Sequence, residues 1–98
     1  MNLGAIVRNS IIVNPNLWNC NILPEGILED WLAVDGSHID AGDAVAKVRI
    51  EDAVHDLTAP ATGTLRVGAR INSVVEPGSV IGEIVRDAAK THLFEGQA

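Results

Sequence analysis

The sequence predicts an all-β domain, a sandwich or barrel made of two similar halves, and two observations support this. First, apolar and polar residues alternate over several short runs, and Gly, Pro, Asp and Asn separate these runs at short intervals. Second, the order of these features repeats along the chain. Many short strands with regular turns are typical of sandwiches and barrels.

Six runs carry the strand patterns. In chain order they are Ser10–Val13, Ile27–Val34, Ala44–Glu51, Ala53–Ala59, Gly63–Ile71 and Gly78–Val85. In the third run the alternation predicts Val45, Lys47, Arg49 and Glu51 on one side of the strand, with smaller apolar residues on the other. The last residues of the chain carry no clear pattern.

The repeat relates the segment Glu25–Val48 to the segment Thr62–Ile84. Gly26 matches Gly63 at an offset of 37 residues, and Gly42 matches Gly78 at an offset of 36. Each half contains a strand, a turn, a short strand, an acidic residue, a glycine and a further strand. Two such halves predict a pseudo-twofold axis, with a hairpin turn at their junction.

Composition narrows the possible functions. The chain has 98 residues and a net charge of −6, which predicts one domain and disfavours nucleic acid and anionic membrane surfaces as partners. Apolar residues make up 47% of the chain, but the only aromatic residues are Trp18, Trp31 and Phe94, so we expect an aliphatic core. We expect Trp31 to lie in that core, and Trp18 to cover one end of the barrel or an interface.

The sequence favours a cytoplasmic location. No run reaches 18 apolar residues, and the first residues lack the apolar core of a signal peptide. Cys20 is the only cysteine, which excludes a disulfide within the chain, and we expect it to act as a small buried or half-buried residue.

The order of the motifs resembles the biotinyl/lipoyl attachment domain, the carrier module of 2-oxo acid dehydrogenases and biotin-dependent carboxylases. The matching segments are Pro15 and Leu17 after the first strand, then "EGILEDWLAVDGSHIDAGDAVAKV", "APATG" and "VVEPGSVIGEI". The resemblance implies a flattened barrel, also called a barrel-sandwich hybrid, of two antiparallel sheets with about four strands each. It also implies an extension over 1–9, the domain over 10–86 and a tail over 87–98.

The resemblance places Asp52 where the family carries its modified lysine. In the family that lysine lies eight residues before the proline of the A-P turn, and here the proline is Pro60. The flanking sequence Glu51-Asp52-Ala53 is similar to the D-K-A of lipoyl domains, and Arg49 stands where they usually have a glutamate. Gly36 and Gly63 match glycines that lipoyl domains usually keep.

Attachment of lipoate or biotin needs an amine nucleophile, which a carboxylate cannot replace. We therefore expect Asp52 to be unmodified, no cofactor to be carried, and the protein to be a non-catalytic interaction or scaffold module of a multienzyme system. Its partners would be proteins, such as enzymes of the 2-oxo acid dehydrogenase or biotin-dependent type, and Arg49, Glu51 and Asp52 are the candidate contacts. The alternative is a genuine lipoyl or biotin carrier that has an unusual acceptor, or whose residue 52 has been altered; Lys47 and Lys90 do not match the acceptor site.

Three interpretations of Glu51-Asp52 remain open from the residues alone. The pair is a solvated acidic turn, a contact for a basic partner surface, or, with His55 and Asp56, part of a weak cation site. We expect no metal site elsewhere, since the histidines have no zinc-ligand spacing and "VDGSHIDAGD" lacks the register of a calcium loop. The serines lack a nucleophile elbow, so we expect no enzyme activity.

Overall fold

Two antiparallel sheets of four strands enclose the core. The computed structural model describes residues 6–18 and 25–87. Its strands are β1 (Ile6–Ile12), β2 (Gly26–Trp31), β3 (His38–Ile39), β4 (Ala44–Ile50), β5 (Ala53–Thr58), β6 (Gly63–Val67), β7 (Val74–Val75) and β8 (Val80–Asp87). One sheet has the order β1-β8-β6-β3 and the other β5-β4-β2-β7. In the described ranges the sheets do not close into a continuous barrel, and the predicted flattened barrel-sandwich is confirmed.

A pseudo-twofold axis exchanges the two sheets. The axis exchanges β1 with β5, β2 with β6, β3 with β7 and β4 with β8. This exchange converts one strand order into the other. Each sheet therefore takes its two central strands from one half of the chain and its two edge strands from the other. The internal repeat of the sequence is the origin of this arrangement.

The symmetry extends to single hydrogen bonds. The Gly36 amide donates to the Leu65 carbonyl at 2.8 Å, and the Asn72 amide, 36 residues later, donates to the Leu28 carbonyl at 2.7 Å. Gly36 has φ +89° and Asn72 has φ +75°. Glycine and asparagine are the residues that most readily adopt this left-handed backbone. The two halves therefore have the same backbone conformation at this turn, with a different residue in each.

The predicted alternation in β4 is wrong at Val45. Val45 was expected on the side of Lys47 and Arg49, but it is fully buried. The pairing of β4 with β5 shifts its register between Ala44 and Ala46, and such a bulge turns two consecutive side chains toward the core. An equivalent shift occurs where β1 pairs with β8.

The core between the sheets is aliphatic, as predicted, but the tryptophan buried in it is Trp18 and not Trp31, which was expected there. Its buried residues are Ile11, Val13, Trp18, Leu28, Ile39, Val45, Ala46, Val48, Ile50, Leu57, Ala59, Leu65, Val75, Ile81 and Ile84. Trp18 follows a single turn of 3₁₀ helix (Pro15–Leu17) and is only 7% exposed. Trp31 is half-buried, packs against this core and donates its indole N–H to the Ala69 carbonyl at 3.0 Å.

Several predicted boundaries differ from those of the structure. β2 ends at Trp31 and β6 at Val67, so the last residues of both predicted strands lie in loops. β1 begins at Ile6, so residues 6–9 belong to a strand, and β8 extends to Asp87. The rest of the tail, with Lys90, His92 and Phe94, lies outside the described residues, as does Cys20.

Over the described ranges, the structure contains no helix of the length and apolarity that crossing a membrane would require.

We predict that Gly63→Ala destabilises the protein by about 2–3 kcal/mol. A Cβ at this position would lie 2.5 Å from the Val85 carbonyl oxygen and 2.8 Å from Cγ2 of Ile84. Both atoms belong to the central strand β8, which leaves little room for relaxation. Urea unfolding measures the change, with the exposed Thr64→Ala as a control expected to shift stability by less than about 0.5 kcal/mol. Equal stability of Gly63→Ala and the wild type would contradict the close approach.

Candidate functional site

The site predicted from the sequence is the two-residue turn between β4 and β5. Ile50 and Ala53 form the last pair of the hairpin, so Glu51 and Asp52 lie at its tip, and both are exposed. Glu51 has φ +58°, whereas Asp52 does not have a positive φ. This combination is typical of a type II′ turn, in which the first position favours glycine. The hairpin therefore presents two adjacent acidic residues to solvent.

Arg49, the third predicted contact residue, forms an ion pair with Glu29, which the sequence analysis did not single out. Its Nε donates to Oε2 of Glu29 at 2.8 Å, and its Nη2 donates to Oε1 at 2.9 Å. This bidentate hydrogen bond holds the pKa of Glu29 below its ordinary value and raises the pKa of Arg49. The charge of Asp52 acts on the pKa of Arg49 in the same direction, as the smallest contribution.

The carboxylates of the tip have no such neutralising partner. Within residues 6–18 and 25–87, the structure contains no hydrogen bond or ion pair from the side chains of Glu51 and Asp52. Because Arg49 is occupied by Glu29, the tip has a net negative charge. Of the three predicted residues, Glu51 and Asp52 are thus available to a partner, while Arg49 braces the base of the hairpin.

A shallow groove of about 220 Å³ lies beside the turn. Its lining residues are Glu25, Gly26, Ile27, Arg49 and Glu51. The lining combines an apolar side chain with two acidic residues and an arginine that is already paired. The groove therefore continues the negative character of the tip along the end of β2.

An outward-facing row of side chains crosses the sheet next to this groove. Arg49 is opposite Val54 on β5 and Ile27 on β2, and Ile27 is in turn opposite Val74 on β7. Val54 is 42% exposed and Val74 is 58% exposed. Apolar side chains thus flank the arginine on both sides, directly below the acidic tip.

Lys47 lies within β4 and not at the tip. Its Nζ donates to Oδ1 of Asp56 at 2.8 Å, directly across the strand pair. This hydrogen bond, together with the charge of Asp56, raises the pKa of Lys47. Lys47 is therefore paired across the strands and is not presented on a turn.

The other candidate groups make hydrogen bonds to the backbone. Ser37 and Ser73 donate their hydroxyls to the carbonyls of Val34 and Arg70, three residues earlier in each case. In "VDGSHIDAGD", Asp35 accepts a hydrogen bond from the backbone amide of Val67 at 2.8 Å. Among the residues that the structure describes, no three His, Cys, Asp or Glu side chains come together as metal ligands, including those around Glu51, Asp52, His55 and Asp56.

The residues that sequence reasoning missed are Glu29, Ile27 and Val74. A register shift between Leu28 and Asp30 places Glu29 where it reaches Arg49. That shift has no sequence signal of its own. Ile27 was assigned to a strand and Val74 to the second copy of the repeat, but their position next to Arg49 depends on the pairing of β2 with both β4 and β7.

Comparison with known proteins adds no family assignment. The sequence matches no protein-family model and no curated protein.

We predict that Glu51→Gly stabilises the protein by about 0.5–1 kcal/mol. Glycine avoids the cost of about 1–2 kcal/mol that a left-handed backbone imposes on a residue with a side chain. Glycine also has more freedom in the unfolded chain, which reduces this gain in folding stability by about 0.5–1 kcal/mol. Urea unfolding measures the difference. Asp52→Gly is the matched control, for which we expect no gain because Asp52 has no positive φ. A loss of stability in Glu51→Gly would show that the side chain contributes more than the backbone costs.

Proposed function

We propose that this protein is an interaction module of the biotinyl/lipoyl attachment type that has no acceptor lysine and acts through protein contacts. The observation that carries the proposal is the hairpin turn Glu51-Asp52. It joins two pseudo-symmetric halves, and an aspartate occupies the position at which the family's domains carry a lysine. A carboxylate there forms no amide with lipoate or biotin.

The surface around the turn supports a role in protein binding. Glu51 and Asp52 are exposed and unpaired within the described ranges, and the apolar side chains of Ile27, Val54 and Val74 lie beside them. Unpaired charges steer a partner of opposite sign and fix its orientation, whereas apolar area supplies affinity. We infer a partner that presents a basic surface, such as an enzyme of a 2-oxo acid dehydrogenase or biotin-dependent system, in the cytoplasm.

The position of Lys47 supports an unmodified state. The amine is paired with Asp56 in the middle of a strand pair, whereas an attachment lysine must be presented on a projecting turn. The function proposed is therefore non-catalytic and needs no cofactor.

The first experiment tests for attachment. We co-express the protein with lipoate and biotin ligases and measure its intact mass. We expect no adduct on the wild type and an adduct on Asp52→Lys, because the substitution restores the nucleophile at the tip of the turn. Glu76→Lys, which places a lysine on another exposed turn, is the matched control and should gain none. An adduct on the wild type would refute the unmodified state, and its absence from Asp52→Lys would refute the resemblance at this turn.

The second experiment tests for contacts at the turn. The immobilised protein and the double variant Glu51→Gln/Asp52→Asn are compared as baits in lysate of the native cells, with quantitative mass spectrometry. We expect at least one protein to be retained about tenfold less by the variant, since loss of two charge contacts is worth that much. The control variant Asp30→Asn/Glu76→Gln removes the same amount of charge elsewhere on the surface. We expect this control to retain the captured protein as well as the wild type does. If every retained protein binds both double variants equally, the turn is not the contact.

A further inference from the structure

β1 is the longer of the two edge strands of its sheet, and its outer edge is open in the described part of the chain. β1 pairs with β8 on one side, and the other edge of the sheet is the two-residue β3. The described loops direct no backbone hydrogen bond to residues 6–12. An open edge of seven residues leaves backbone donors and acceptors that another strand can pair with.

The outward-facing side chains of β1 are arranged symmetrically about Asn9. Ile6 and Ile12 lie three residues on either side of it and are 48% and 49% exposed. Between them, Arg8 and Ser10 also face outward and are exposed. The strand thus has an apolar residue near each end and a polar centre.

We propose that this edge pairs with β1 of a second copy of the chain, antiparallel, with the twofold axis at Asn9. In this register Ile6 lies opposite the partner's Ile12, and Arg8 lies opposite the partner's Ser10. Ile12 also pairs with Val80, which is 60% exposed, so an apolar row continues across the joint. Cross-strand apolar pairs of this kind stabilise a sheet. The inference is independent of the function proposed above.

The charges of this region fit the same register. Arg8 binds Glu83 at 2.8 Å within one copy, and Glu83 lies opposite Ser10 in the pairing of β8 with β1. In the dimer Ser10 lies between Glu83 of its own copy and the partner's Arg8, so these three residues form one row across the joined sheets. Each Arg8 keeps Glu83 of its own copy as its ion-pair partner, so the two arginines near the axis meet as neutralised pairs and not as unpaired like charges.

Neighbouring registers lack this complementarity. An axis at Arg8 sets the two arginines opposite each other, and an axis at Ser10 sets Arg8 opposite the partner's Ile12. Like charges or mismatched pairs directly across strands are destabilising. The pattern of the strand therefore selects one register.

The other long edge strand, β5, is not self-complementary. An axis at His55 sets Val54 opposite the partner's Asp56, and an axis at Asp56 sets two aspartates opposite each other. Charged residues on an edge protect it against such pairing. The two pseudo-symmetric edges of the molecule thus differ in what they allow, and β1 is the one suited to a second copy.

Sedimentation equilibrium over a range of concentrations tests the proposal on the full chain. We expect a reversible dimer for the wild type. Ile12→Lys, which places a charge opposite the partner's Ile6 twice per dimer, should raise the dissociation constant about tenfold or more. Val54→Lys, on the β5 edge and 42% exposed, is the matched control and should leave it unchanged. A wild type that is monomeric at every concentration, or equal weakening by both variants, overturns the proposal.

A covalent readout tests the register and remains valid if Ile12→Lys does not fold. In a Cys20→Ser background, Asn9→Cys places one thiol at the twofold axis, and mild oxidation should give a disulfide-linked dimer. Val54→Cys in the same background is the matched control and should remain monomeric. Cross-linking by Val54→Cys but not by Asn9→Cys overturns the proposed edge.

Discussion

The structure depends on an interlocking of its two halves, because neither half completes a sheet without the other. Each sheet has a central pair of strands from one half and edge strands from the other. The central pairs are β8-β6 and β4-β2, and they supply most of the buried aliphatic side chains between the sheets. Removing one half would expose the inner face of the other, so we regard the domain as one cooperative unit.

This interlocking determines where the candidate site lies. In the described part of the chain the hairpin of β4 and β5 links the two halves, and its pseudo-symmetric counterpart is the pairing of β8 with β1. The turn Glu51-Asp52 therefore projects from a strand pair in which Arg49 binds Glu29 just below the tip. Within residues 6–18 and 25–87 the two carboxylates of the turn make no hydrogen bond or ion pair, which suits the role in recognition that we propose.

Much of this architecture was predictable because the repeat and the turn residues have clear sequence signals. Gly42 and Gly78 have matching left-handed backbones, and six strands, including the two-residue β3 and β7, occur where the repeat places them. The bulges had no such signal, since a register shift depends on the partner strand. For this reason the burial of Val45 and the pairing of Glu29 with Arg49 were not foreseen. The exposed hairpin turn at Glu51-Asp52 was predicted correctly, whereas the apolar row beside it depended on strand order.

We propose that the protein keeps the fold of a carrier module while an acid replaces the chemical attachment point. Peptide mass mapping of the protein isolated from its native cells tests this most directly, because it examines every lysine under the conditions in which modification would occur. The account predicts that Lys47 and Lys90 are both free of lipoyl and biotinyl groups. A lipoyl or biotinyl group on either lysine would contradict it.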